Sequence, residues 1–436
     1  MTVFRQFPPG LLALLLCLAP AGATAQTPAV TLDEAIRLAQ QAQPSVVQAR
    51  GSAQNARAQV RSAKGAYLPS LNATTSGSRD YSERPTTNTS SGSVQSGTTN
   101  NVNFGLNASV DLFTGFRRGA DSRAARATRT AADASLTDAE SQAALTATQQ
   151  FFDVLAAQQL VRVREASVTQ AEEQLKLSIA KLHVGSATRS DSLRSLVNLG
   201  TAQLALVSAQ SSVAATQATL GRTLGLDGRV AATDDSVYYS FAITVDTAEL
   251  QQEALANSPA VQATAASAAA ARAQVTSAKA AYWPTLALSG SANWSGSNST
   301  VNDYQLFARR SLALGLTWPI FNKFQREQTI VTRSSSADAA DATAADTRRQ
   351  VQAAVTTQAA ALEAARVRIN ITRTSVEAAG EDLRVVQERY RVGAATILDV
   401  LTSQSALAQA QVDAVNARFD YLKAKAQIEA LIGRHL

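Results

Sequence analysis

The sequence predicts a mainly α-helical chain with membrane β-strands: internally duplicated long antiparallel helical hairpins, plus four strands per chain. Three observations lead there. The run Arg57-Ala58-Gln59-Val60 through Tyr67, Pro69 and Leu71 returns 215 residues later as Arg272-Ala273-Gln274-Val275 through Tyr282, Pro284 and Leu286. Phe113 matches Phe321 and Val184-Gly185 matches Val392-Gly393 at a spacing of 208, so the offset changes only across the Ser/Thr/Asn-rich stretch near 72–101. Finally, Val154, Val161, Val168, Leu175 and Leu182 recur every seven residues, and Leu362, Ile369, Val376, Leu383 and Tyr390 do so 208 residues further on. A strict heptad winds two helices into a left-handed supercoil.

The chain opens on a secretory pattern over residues 1–25: Arg5, the apolar run Leu11 to Ala19, and Ala23-Thr24-Ala25 ahead of Gln26. Cys17 is the only cysteine, and Leu16 before it is bulkier than a lipidation site prefers, so neither disulfides nor a lipid anchor are expected. The apolar run is too short to span a bilayer as a helix, and any membrane crossing is expected to be β. Net charge is +6, but the basic residues are interleaved with acids along helices. No basic stripe with aromatics marks a nucleic-acid footprint. With two histidines in the chain, His183 and His435, no metal centre or cofactor is expected. No phosphate loop or nucleophile elbow suggests an enzyme.

Two structural repeats are expected, 26–226 and 246–436, joined by a linker at 227–245 that carries Asp234, Asp235 and Tyr238-Tyr239 and lies outside the rods. Thr31 with Glu34, and Asp246 with Glu249, are spaced as N-cap and N3 of each first helix. Pro44 and Pro259 interrupt it, and a second helical stretch runs on to Tyr67 and Tyr282, where Pro69 and Pro284 end it.

Strand patterning follows at once, in hairpins at about 71–112 and 285–319 with strands of about ten residues. Phe104, Leu106, Ala108, Val110 and Leu112 alternate with polar residues, as do Leu286, Leu288, Ala292 and Trp294, and then Leu312, Leu314, Leu316 and Trp318. Ten alternating residues match a tilted membrane strand with one face to lipid and one to a lumen. Tyr67, Phe113, Tyr282, Trp283 and Trp318 at the strand ends suit an interfacial belt. The same alternation also fits a soluble hairpin over a core, although the helical rods offer no broad surface to cover one.

Uninterrupted helices are expected from Arg117 to Leu182 and from Lys323 to Tyr390, rods of about 100 Å at about 1.5 Å per residue. Val184-Gly185 and Val392-Gly393 end them with the glycine of a left-handed cap. Thr188 with Asp191, and Thr396 with Asp399, then open returning helices marked by Leu199, Leu206, Val213 and Leu220, and by Leu407, Ala414, Tyr421 and Ile428. Each returning helix is about half a rod long, so it is expected to stack end to end with the helix that precedes the strands.

Four strands cannot close a barrel, and an open edge in lipid leaves backbone groups unpaired. Three chains would supply a trimeric twelve-stranded β-barrel with room for water, and twelve helical cylinders in a ring below it. A homotrimer is therefore expected, with outer-membrane lipid around the strands.

The turn Tyr390-Arg391-Val392-Gly393-Ala394-Ala395-Thr396-Ile397-Leu398-Asp399-Val400-Leu401, followed by Asn416-Ala417-Arg418-Phe419-Asp420-Tyr421, is similar to the most specific motif of the TolC family of outer-membrane efflux and export channels. The resemblance covers the whole mature length. It implies a trimeric channel-tunnel spanning from the outer membrane into the periplasm, the passive exit duct of a tripartite efflux or type I secretion system. Its implied partners are a periplasmic adaptor (membrane fusion) protein and an inner-membrane transporter of the RND or ABC type. The implied docking tip is 183–193 with 391–401, with Val184, Gly185, Ser186, Thr188, Val392, Gly393, Ala394 and Thr396 as its exposed residues. Asp399 and Asp191 are gate candidates as well as helix caps: three copies of Asp399 would make an acidic ring that favours cations. Thr402 stands where some relatives carry a second acid. The rival readings are a trimeric coiled-coil adhesin, whose four strands would be contiguous near the C-terminus, and a soluble helical scaffold or structural envelope protein.

Overall fold

A computed structural model describes residues 28–85, 94–235, 238, 246–298 and 305–436. The secretory pattern of residues 1–25, with Arg5, Leu16 and Cys17, lies outside the described residues, as does Tyr239 of the linker. After a two-residue strand β1 (Ala29–Val30) come α1 (Leu32–Ala42), α2 (Pro44–Gly65), β2 (Ser70–Pro85), β3 (Val94–Phe113), α3 (Arg117–His183) and α4 (Arg189–Leu224). Strand β4 (Ala231–Ala232) leads to α5 (Thr247–Asn257), α6 (Pro259–Lys279), a single 3-10 turn at Ala280–Tyr282, β5 (Thr285–Asn298), β6 (Phe307–Thr317), α7 (Gln325–Arg391) and α8 (Ile397–Ile432).

Local chemistry explains the boundaries. Thr31 accepts from the Glu34 amide to open α1. Asp246 opens α5, but by accepting from Ala248 (2.8 Å) instead of through the expected pairing with Glu249. Pro44 and Pro259 sit at the first position of α2 and α6, where the missing N–H would have had no helical partner. Helices α3 and α7 each run 67 residues, which is about 100 Å. Helices α4 and α8 each have 36.

Each long helix has two shorter ones laid end to end beside it: α2 and α4 along α3, α6 and α8 along α7. Helix α6 also packs on α3, and α8 touches α3, which joins the two halves. The stacking joints are tight. Gly225, which caps α4 at φ 70°, lies so close to Ala42 that an added Cβ would come within 2.5 Å of the alanine Cβ, and Gln43 Nε2 donates to the Thr223 carbonyl at 3.0 Å. Gly433, capping α8 at φ 74°, is less tightly placed: an added Cβ would lie 3.3 Å from the Asn257 carbonyl oxygen and 3.9 Å from Pro259.

The main core lies at these joints. Phe151, Phe152, Val154 and Leu155 of α3 meet Leu220 and Leu224 of α4, while Val351, Val355 and Leu362 of α7 meet Phe419, Tyr421 and Ile428 of α8. The linker does not stay clear of the rods as its polar sequence suggested. Val230 and Ala232 are buried, β4 pairs in parallel with β1, and Tyr238 packs edge-on against Phe151 and Phe152. Three apolar side chains among acids were enough to bring the segment down onto the core.

Two further expectations need correction. The strands run 16, 20, 14 and 11 residues, longer than the ten expected, because Ser, Thr, Asn and Gly continue the ladder beyond the apolar alternation that marks a strand in sequence. In α3 the heptad row Val161, Val168, Leu175 and Leu182 is only half-buried. A seam needs two rows, and in α3 it is Ala171, Gln174 and Ser178 that turn inward, the Ser178 hydroxyl 2.8 Å from that of Ser195 on α4. In α7 the expected row is the seam, with Leu362, Leu383 and Tyr390 buried.

Candidate functional site

The four long strands form one antiparallel sheet in the order β2-β3-β5-β6, so the two hairpins, far apart in sequence, meet through β3 and β5. The pairing puts side chains of one kind in common rows. Ala73, Leu106 and Ala292 share a row with Arg310, and the rows toward the helices are Leu71–Ala108–Gly290–Leu312 and Val110–Leu288–Leu314. On the other face lie Asn72, Asn107, Ser291 and Ser311, with the Ser291 and Ser311 hydroxyls 2.8 Å apart and those of Ser70 and Ser109 likewise. Toward the helices, period-2 alternation thus makes one face apolar and the other polar across all four strands, whereas farther out the same face of β2 carries Thr75, Gly77, Arg79, Tyr81 and Glu83. Phe104 and Trp294 close the apolar face toward the loops, ring centroids 5.5 Å apart.

At the helix end of the sheet lie the aromatic residues expected to form a belt. Tyr67, Tyr282, Trp283 and Trp318 are exposed, and Phe113 is half-buried. Arg118 lies 4.8 Å over the Tyr67 ring and Arg326 4.5 Å over the Tyr282 ring, while Trp318 Nε1 donates to the Tyr282 carbonyl. Phe116, which the sequence reading missed, joins Phe113 and Trp283 edge-on, with centroids 5.3 and 5.5 Å away; Phe324 makes the equivalent contact with Phe321. Both phenylalanines cap the long helices in left-handed backbone, φ 67° and 62°. The available signal was the repeated spacing Phe113-Thr114-Gly115-Phe116 and Phe321-Asn322-Lys323-Phe324.

At the far end, Gly185 (φ 75°) and Gly393 (φ 82°) terminate α3 and α7, with Ser186 and Ala394 amides returning to the Lys181 and Arg389 carbonyls. An added Cβ on either glycine would meet nothing. Val184 and Val392 are 77% and 79% exposed, apolar side chains standing in solvent at each turn. Thr188 with Asp191 and Thr396 with Asp399 form complete capping boxes. Asp399 accepts from the Thr396 amide and hydroxyl, each at 2.8 Å, and these bonds, then the nearby Arg389, hold its carboxyl below the ordinary range. Thr402 spends its hydroxyl on the Leu398 carbonyl.

Two links between the hairpins had no sequence signal: Lys181 Nζ donates to the Tyr390 carbonyl, and Asn198 donates to Gln404 at 3.3 Å. Among the described residues no helix is long and apolar enough to cross a membrane, and no group of three or more His, Cys, Asp or Glu is placed to hold a metal.

An amphipathic sheet mounted on paired helical rods defines a membrane channel protomer. The profile of the outer membrane efflux protein family matches residues 35–226 and 250–434, and the chain belongs to that family: an outer-membrane protein of a channel family, not of an enzyme family. Outer membrane efflux protein BepC of Brucella suis is 27% identical over 338 residues, covering 77% of this chain and 73% of that protein. Among solved structures, CusC superposes with a TM-score of 0.78 at 19% identity over 92% of both chains. VceC of Vibrio cholerae gives 0.73 at 19% identity over 93% of this chain and 96% of that one. These likenesses establish the α-barrel and β-barrel protomer fold, and they lend no support to the adhesin reading.

Proposed function

We propose that three copies of this chain close into a twelve-stranded barrel over a helical tunnel and serve as the passive exit duct of a tripartite efflux or type I secretion system. The observation that carries this is the four-stranded sheet: its two faces differ in polarity in the rows nearest the helices, and among the described residues its edges β2 and β6 are unpaired. In lipid such edges must find partners, and a second and third copy supply them.

On this reading residues 26–226 and 246–436 are the two repeats, each contributing one hairpin and two cylinders. Asp399, with Asp191 and Thr402 nearby, would line the constriction. The exposed turn residues Val184, Gly185, Ser186, Thr188, Val392, Gly393, Ala394 and Thr396 would receive a periplasmic adaptor, which couples the duct to an inner-membrane transporter of the RND or ABC type.

Purified protein in a planar bilayer tests the duct. Small, cation-preferring conductance is expected; a protein that forms trimers yet passes no ions would exclude the channel reading. Crosslinking in cells, followed by identification of the captured proteins, tests the partners.

A further inference from the structure

We infer that β6 of one copy pairs with β2 of the next in a single register, fixed by the internal duplication, in which Ala313 faces Ser78 and Gly315 faces Ser76 of the neighbour. This rests on the proposed closure of copies edge to edge, and adds the residue-by-residue joint.

The duplication relates β2 to β5 by 215 residues and β3 to β6 by 208. The ladders obey those offsets: the pair Leu71–Ala108 of the first hairpin, moved by them, becomes Leu286–Leu316, a pair that the second hairpin makes. The junction β3–β5 joins the end of one repeat's hairpin to the start of the next, and in a ring the junction from β6 to the next copy's β2 has the same place. Applying the same offsets turns Gly105–Asn293 into Ala313–Ser78, Asn107–Ser291 into Gly315–Ser76, and Val102–Gly296 into Arg310–Tyr81.

Side-chain alternation provides a check. The apolar face carries the even-numbered residues of β6 and the odd-numbered residues of β2. The inferred register pairs even with odd throughout, so each face of the sheet continues as the same face in the next copy, with Leu316 opposite Thr75, Leu314 opposite Gly77 and Leu312 opposite Arg79. A slip of one residue would turn every β2 side chain to the wrong face.

Charge gives a coarser second check. Asp111 apart, the charged residues whose side chains are described in the sheet stand on its edges: Arg79, Asp80 and Glu83 on β2, Arg309 and Arg310 on β6. The register brings both sets to one height. Arg310 faces Tyr81, whose hydroxyl donates to Glu83 at 3.1 Å, and Arg309 faces Ser82 beside Asp80.

Cysteine pairs read the register directly, since Cys17, in the expected secretory segment, is the chain's only cysteine. Directly opposed residues have Cα atoms about 4.5–5.5 Å apart, within disulfide reach, whereas diagonal neighbours at about 7–8 Å are not. Oxidised in outer membranes, A313C/S78C and G315C/S76C are expected to give covalent trimers on a non-reducing gel, at least tenfold more than A313C/S76C or A313C/D80C. A maximum at a slipped pair would overturn the register while leaving the trimer standing. No crosslink in any variant, with oligomers intact by native mass, would overturn the β6–β2 joint itself. An unsubstituted protein that is monomeric by native mass would instead overturn the closure on which the joint rests.

Discussion

Lys181, three residues before the turn that ends the first hairpin, donates from Nζ to the backbone carbonyl of Tyr390 and holds its ammonium 4.4 Å from the centre of that residue's ring. One side chain thus ties the ends of α3 and α7 together. A partly buried ammonium–aromatic contact contributes about 1–2 kcal/mol, which shifts a two-state equilibrium by roughly five- to thirtyfold. Lys181→Met is therefore expected to raise mean single-channel conductance by about that factor, while lowering the thermal midpoint by only a few degrees. Unchanged conductance would remove this tie from the gate.

Asp399 is held ionised by its bonds to Thr396. A carboxyl with a lowered folded-state pKa contributes its stabilisation above the unfolded value and loses it only as pH falls through the folded value. Within the proposed trimer, cation preference is expected to persist through pH 5 and to fade with a midpoint below the ordinary 3.8. Reversal-potential measurements in a salt gradient read this. A midpoint well above 3.8 would show three carboxylates close enough to repel one another. Asp399→Ala should weaken the preference at neutral pH, and unchanged selectivity would take Asp399 out of the constriction.

Gly115 and Lys323 occupy equivalent positions at the strand-to-helix joints, with φ 61° and 58°. A Cβ on Gly115 would come within 2.4 Å of the Trp283 Cβ. Gly115→Ala is expected to destabilise the folded chain by more than about 2 kcal/mol, from backbone strain and overpacking together. In Lys323→Gly, relief of strain is offset by the extra freedom of the unfolded chain, leaving the change within about 1 kcal/mol. Urea unfolding of both variants checks the contrast.

The lipid-facing side of the sheet can be assigned by paired substitutions. Leu288, opposite Leu314 on the apolar face, should tolerate arginine poorly, at a cost of about 2–4 kcal/mol near the bilayer middle. Ser289 on the polar face should accept it with little change. Refolding into lipid vesicles measures both, and the reverse order would exchange lipid and lumen.

The helices were legible because their punctuation is strong. Pro44 and Pro259, the capping pairs at Thr188 and Thr396, and the two tip glycines placed nearly every boundary. The strands were legible only where apolar residues alternate, so the Ser- and Asn-rich lengths of β2 and β3 were missed. Ser178 and Ser195 show why half of one seam was misread: a buried hydroxyl pair leaves no hydrophobic periodicity to count. Phe116 and Phe324 were missed because a left-handed phenylalanine has no composition signature. Lys181 and Tyr390 are 209 residues apart, and only folding reveals that they meet.

The stacked joints at Gly225 with Ala42, and at Gly433 with Asn257, have a mechanical meaning. On that side of each half no peptide bond crosses the waist of the molecule; the column is two beams butted together. A torque applied at the turns travels toward the sheet along the covalent spine of α3 and α7, while in the butted columns it passes only through non-covalent contacts at the joint. Each half is stiff along one line and articulated along the other, so the lower helices can be re-angled at the waist with every helical hydrogen bond intact.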